Sequence, residues 1–167
     1  MNKNTSLIHY IKQAVYAGIF LWLVLLAMNC YAGKSAVVWA VGASALASSA
    51  YIVFSKPDCE NSLSRHILGS YIVSMVVGMA CSHIIIFIHA HTGFPVIRIV
   101  EVVTAVSVGF SLFLQTILNF QHPPAAGLSL ILVSEPWHYG TLIIILIAVI
   151  LLAIISRLLR GHIKQLH

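Results

Sequence analysis

Long uncharged segments separated by short polar stretches run through almost the whole chain. Cutting the sequence at every Asp, Glu, Lys and Arg leaves uncharged runs of 21, 21, 32, 33 and 21 residues, at positions 13–33, 35–55, 66–97, 102–134 and 136–156. A helix needs about 20 apolar residues to cross a bilayer core about 30 Å thick. The pattern therefore predicts an all-α integral membrane protein, with one transmembrane domain over residues 1–167.

The polar stretches and the turn residues give the expected helix bounds. A tight loop at 31–34, the polar loop 56–61 and Gly- and Pro-containing turns at 89–95 and 135–140 separate the apolar segments. We expect about five full transmembrane helices, at residues 7–28, 35–54, 65–88, 95–119 and 141–159.

The run 102–134 is too long for one crossing. As a single helix its 33 residues would measure about 50 Å. Pro123 and Pro124 lack amide donors, so the sequence 119–124 predicts a break. Because proline is favoured in the first turn of a helix, residues 124–133 are expected to form a short helix that starts at the break and is too short to span the bilayer alone.

Composition narrows the function. The chain is 60% hydrophobic and only 8% charged, and its mean hydropathy is +0.99. This leaves no room for a soluble catalytic, signalling or nucleotide-binding domain, so we do not expect an enzyme. The formal charge of +5 is carried by loops and termini, which argues against a nucleic-acid partner. No Asp or Glu lies in the middle of a predicted span, so no cation site is expected.

The distribution of basic residues predicts the topology. If the short helix counts as a crossing, seven of the nine Lys and Arg residues fall on one side and two on the other, whereas five crossings would split them five to four. The positive-inside bias favours the first count, with both termini cytoplasmic. A weak internal similarity, with residues 7–91 and 95–160 as possible halves, then suggests two inverted three-helix repeats.

Polar residues cluster at the break. Asn119, Gln121 and His122 need partners, since lipid offers none to a buried polar group. The amides of Ala125 and Ala126 are expected to be free at the start of the short helix and to suit a small anion. His122 would then add a hydrogen-bond donor near the same space, unless it caps carbonyls released where the fourth helix ends.

Small residues from Gly42 to Ala50 make the second helix unusual. They allow close backbone approach, either by a neighbouring helix or by a small ligand. The expected mechanism has Gly42, Ala43 and Ser44 facing the short helix near the membrane midplane, around a narrow anion pathway. Packing alone is the competing interpretation.

Two other functions compete with transport. The nine histidines raise the possibility of haem or metal binding, for which His83 and His122 are the deepest candidates. Their spacing matches no common ligand motif. The second alternative is a membrane scaffold or assembly subunit whose polar break is satisfied internally. In any of these roles, six short crossings bury little surface, so a homo-oligomer of unknown number is expected.

Two motifs carry a resemblance to a known family. The sequence from Asn119 to Leu130, NFQHPPAAGLSL, resembles the signature of the HPP family of integral membrane proteins, and VGASAL at 41–46 resembles its second motif. The similarity covers roughly residues 35–160. It implies transport of a small inorganic anion, with nitrite or nitrate as first candidates. We expect a transporter or channel in the bacterial inner membrane that has no cofactor. The expected anion pathway comprises Gly42, Ala43, Ser44, Asn119, Gln121, His122, Pro123, Pro124, Ala125 and Ala126.

The chain departs from the family pattern at one place. Relatives commonly have Pro-Arg-Asn followed by Gly-Gly-His, where this sequence has Ser64-Arg65-His66 and Gly69-Ser70-Tyr71.

Overall fold

The computed structural model describes residues 3–31 and 36–160. Six α-helices and two short 3-10 turns, Glu60–Ser62 and Pro123–Ala125, make up the secondary structure of these residues. The helices are α1 (Lys3–Tyr31), α2 (Ala36–Ser55), α3 (Ser64–Thr92), α4 (Val96–Ile117), α5 (Ala126–Ser134) and α6 (Tyr139–Leu159). The all-helical prediction is confirmed for this part of the chain.

The predicted turn at 89–95 is wrong in its first half. Residues 89–92 continue α3, which ends only at Gly93, a left-handed residue with φ of 66° whose amide donates to the His89 carbonyl. A left-handed glycine is a common helix stop. The predicted loop 31–34 also shortens, because Tyr31 is helical, and its remaining residues lie outside the described part.

The predicted break of the 102–134 run is present, and Asn119 forms it. After α4, Asn119 adopts a left-handed conformation with φ of 56°. Its amide donates to Thr116 O at 3.2 Å, and the Phe120 amide donates to Gln115 O at 2.8 Å. This pair of bonds is the Schellman arrangement that closes a helix C-terminus. Asn119 therefore acts through its backbone, and its side chain is exposed.

Three helices of the described residues, α3, α4 and α6, are long and apolar enough to cross a membrane. Shorter apolar segments lie at 11–27, 42–55 and 123–134. Large apolar side chains such as Ile86, Phe87 and Val102 are 63–69% exposed on the α3–α4 hairpin, which in water would be unfavourable. The protein is thus an integral membrane protein, and the expected five full crossings remain a prediction.

Helix α3 contacts α4, α5 and α6, and α5 also packs against α2 and α4. Helices α3 and α5 approach each other closely at Gly78, where an added Cβ would lie 2.9 Å from Ser129 Cα and 2.8 Å from Leu132 Cβ. A side chain at this position would therefore push α5 away. The short helix is consequently held against the centre of α3.

The end of α6 lies beside the start of α3. The Ser64 hydroxyl donates to Ala153 O at 2.7 Å, and the Ser156 hydroxyl donates to Ser62 O. These bonds place the loop between α2 and α3 at the same end of the bundle as the last turn of α6. The number of crossings and the side on which each terminus lies remain predictions.

Candidate functional site

His122 lies in the loop between α4 and the second 3-10 turn and is fully buried. Its Nδ1 is 2.7 Å from the carbonyl oxygen of Asn61, and its Nε2 is 2.7 Å from Ser49 Oγ. Tyr71 Oη is in turn 2.9 Å from Ser49 Oγ. The imidazole thus joins α2, the α2–α3 loop and α3 to the helix break.

The direction of these hydrogen bonds follows from chemistry. A carbonyl only accepts, so His122 Nδ1–H donates to Asn61 O. In the neutral ring Nε2 then accepts from the Ser49 hydroxyl. Because Ser49 has given away its single proton, the Tyr71 hydroxyl donates to Ser49 Oγ. The chain of bonds is fully satisfied with His122 neutral.

Electrostatics favour that neutral ring. Burial lowers the pKa of His122 to about 4, against its ordinary 6.5, while the bond to Asn61 acts to raise it and nearby His66 to lower it. If the ring does take up a proton, Nε2–H has to donate to Ser49, whose hydroxyl then turns to Ala45 O, 3.0 Å away. His122 consequently carries no charge at neutral pH.

His66 is the unsatisfied member of the site. Its side chain is 2% exposed, and neither ring nitrogen has a hydrogen-bond partner among the described residues. Charge repulsion from His66 contributes to the lowered pKa of His122. A buried imidazole without partners is costly. Unlike His122, it has donor and acceptor capacity left for a ligand.

The predicted free amides are contradicted. The Ala125 amide donates to His122 O at 3.0 Å, and the Ala126 amide is bonded to the carbonyls of Pro123 and Pro124. Both alanines are buried, at 0% and 3% exposure. The cause is the 3-10 turn that precedes α5, whose tighter bonds use the amides an uncapped α-helix would leave open.

The remaining predicted residues divide between surface and interior. Gln121 and Pro123 are exposed, and Pro124 is half-buried. In α2, Gly42 is buried, Ala43 half-buried and Ser44 exposed. The α2 residues that reach the break lie further along: Ala45 meets Gly127, whose added Cβ would be 3.5 Å from Ala45 Cβ, and Ser49 binds His122.

The His122 cluster, which consists of Ser49, Asn61, Tyr71 and His122, lies nearer one end of the helices than their middle. Ser49 is six residues before the end of α2, which corresponds to about 9 Å along the helix. His122 also touches Asn61, in the polar loop. Neither of the two proposed roles for His122 therefore holds as stated: its ring neither faces free amides nor caps α4.

Sequence reasoning missed Ser49, Asn61 and Tyr71, and gave His66 no role in the site. A second buried polar group, between α3 and α4, was also missed: Gln115 Nε2 donates to Ser74 Oγ at 3.0 Å, and Ser74 Oγ is 2.8 Å from Ser111 Oγ. The sequence signal that could have found these residues is the presence of polar side chains inside apolar helices.

Within the described part of the chain, no three His, Cys, Asp or Glu side chains are grouped as a metal would need.

The fold and this buried cluster define the class first: a helical integral membrane protein built around a proline-broken helix. The family model described as "HPP, transmembrane region" matches residues 4–165. The chain therefore belongs to the HPP family, as its two motifs indicated. No curated protein and no solved structure matches it.

Proposed function

We propose that the protein is a transporter or channel for a small inorganic anion, with nitrite and nitrate as first candidates. The observation that carries the proposal is His66, buried at 2% exposure with both ring nitrogens unpartnered among the described residues. A buried ionisable residue inside a membrane protein is by default a candidate functional residue. We therefore assign the anion contact to His66 rather than to His122.

The surroundings of His66 suit an anion better than a cation. The hydrogen-bonded groups of the site, Ser49, Tyr71 and His122, supply hydroxyls and an imidazole rather than a carboxylate. None of these groups opposes an anion with a negative charge, and a buried ring N–H can donate to the anion. In this mechanism His122 fixes the wall of the site and His66 donates to the anion.

His66→Leu tests the proposal because structural and functional roles predict different results. Removing an unsatisfied buried imidazole should keep or raise the melting temperature. Uptake of nitrate by proteoliposomes should fall at least about tenfold, since the anion loses a hydrogen bond inside a dry site. Nitrate is the suitable probe because nitrous acid crosses lipid by itself.

The matched control is His83→Leu. His83 lies on the same helix, is exposed, and its Nδ1–H donates to the Met79 carbonyl of its own helix at 2.7 Å. Its replacement should leave uptake unchanged. A stable His66→Leu protein that carries nitrate at the wild-type rate would refute the proposed contact. Lower stability without loss of uptake would assign His66 to packing.

Topology and assembly belong to the same proposal. We place the face that carries Arg65, Arg157 and Arg160 in the cytoplasm of a bacterial cell, with two inverted halves, α1–α3 and α4–α6, and a homo-oligomer of unknown number. Impermeant labelling of cysteines added at the two termini should find both on the cytoplasmic side. Termini on opposite sides would contradict the arrangement.

A further inference from the structure

Three arginines surround a recess at the end of the bundle that carries the α2–α3 loop. The recess has a volume of about 260 Å³ and is lined by Leu63, Ser64, Arg65, Ser156, Arg157 and Arg160. Arg65 belongs to the first turn of α3, and Arg157 to the last turn of α6. All three arginines are exposed to the surroundings of the protein, and no described carboxylate lines the recess.

The hydroxyls in the wall do not compete with the arginines. Ser64 Oγ donates to Ala153 O at 2.7 Å, and Ser156 Oγ donates to Ser62 O. Both protons are therefore used to fasten α6 to α3. Arg65 and Arg157 supply the guanidinium groups on which a ligand would rest. The start of α3 adds the partial positive charge of a helix N-terminus.

We infer that this recess binds the phosphate group of an anionic phospholipid. Guanidinium groups match phosphate oxygens in paired, charge-assisted hydrogen bonds. Basic recesses between membrane helices near the cytoplasmic face are favourable places for anionic headgroups. The inference does not depend on the transport function, because neither His66 nor His122 lines the recess.

The surface below the recess favours a lipid over a soluble anion. Ile154 and Ile150 precede Arg157 by three and seven residues, which places them on the same face of α6. They are 50% and 41% exposed. If the phosphate of a lipid binds Arg157, its acyl chains can therefore lie along the apolar stripe formed by Ile154 and Ile150. A free phosphate or nitrate ion would gain nothing from this stripe.

Lipid binding to the purified full-length protein tests the inference. Native mass spectrometry with short-chain phosphatidylglycerol and phosphatidylcholine should show preference for phosphatidylglycerol. Arg65→Gln and Arg157→Gln should each weaken that binding roughly fivefold. Arg157→Lys keeps the charge but loses the paired guanidinium donors, so its affinity for phosphatidylglycerol should lie between those of wild type and Arg157→Gln. Arg98→Gln is the control, since Arg98 pairs with Glu101 at 3.2 Å, near the α3–α4 turn.

Two further arms identify the source of the phosphate. Ile154→Ser should weaken phosphatidylglycerol binding and leave inorganic phosphate binding unchanged if a lipid is the ligand. If inorganic phosphate displaces the lipid at low concentration and Ile154→Ser has no effect, the site takes a soluble phosphate. Equal affinity for both lipids, or the same loss in Arg98→Gln as in Arg65→Gln and Arg157→Gln, would overturn the inference.

Discussion

Acidification should destabilise the protein through His122. The folded ring takes up a proton only near pH 4, whereas an unfolded histidine does so near 6.5. Between these values the unfolded state binds more protons, so stability falls as pH decreases. The contribution of His122 to the free energy of unfolding is fully present above pH 6.5 and is lost progressively as the pH falls towards 4. The difference in pKa corresponds to about 3 kcal/mol.

The physical origin of this cost is visible in the cluster. Protonation places a charge on a ring that is 0% exposed, and it requires Ser49 to redirect its proton from His122 to Ala45 O. Asn61 O continues to accept from Nδ1 in both states, so this bond offsets part of the cost. Burial is the larger effect.

Melting temperatures of the detergent-purified protein from pH 8 to pH 4.5 measure the effect. His122→Asn keeps a donor at the position of Nδ1 but does not titrate, so it should be less stable at pH 8 and show a flatter pH profile than wild type. His83→Asn, at an exposed site, should reproduce the wild-type slope. If wild type and His122→Asn lose stability in parallel on acidification, the buried neutral histidine is refuted.

Two further substitutions test the packing of the site, each by melting temperature and urea or SDS titration. Ser49→Ala leaves His122 and Tyr71 without a bond and should lower the free energy of unfolding by about 1–3 kcal/mol. Its control, Ser48→Ala on the exposed side of α2, should change it by no more than about 0.5 kcal/mol. Gly78→Ala brings a methyl to 2.9 Å from Ser129 Cα and should lower the free energy of unfolding by about 1–3 kcal/mol. In its control, Gly109→Ala, the added methyl meets nothing within 4 Å, so the free energy of unfolding should stay the same or rise. Equal effects within either pair would contradict the packing described for it.

Local features of the fold were predictable because their causes are local. The prolines at 123 and 124 remove amides whatever the tertiary structure, so the break was visible in the sequence. The three-residue spacing of Arg98 and Glu101 on one helix is likewise sufficient for the ion pair observed at 3.2 Å. The end of α3 was misplaced because the turn predicted from Gly93 and Pro95 was extended back to His89, whereas the helix continues to Thr92.

The partners of His122 were not predictable, because they are distant in sequence. Ser49 is 73 residues away and Asn61 is 61 residues away, and no spacing rule connects them to the break. The prediction of free amides was wrong for a different reason. The same residues can begin a 3-10 turn or an α-helix, but in the 3-10 turn amides that an α-helix would leave unpaired bond to carbonyls three residues earlier. His66 was overlooked because an orphaned buried group is recognised only when its surroundings are known.

Isotope counterflow tests anion transport most directly, because it detects a channel or a carrier with or without proton coupling. Proteoliposomes loaded with unlabelled nitrate would be diluted into labelled nitrate at pH 7, where His122 is neutral, with protein-free vesicles as the control. The account predicts that the label enters the proteoliposomes well above the control and that excess external nitrite competes. Entry of labelled nitrate, and of labelled nitrite after correction for lipid permeation, at the protein-free rate would contradict the central claim.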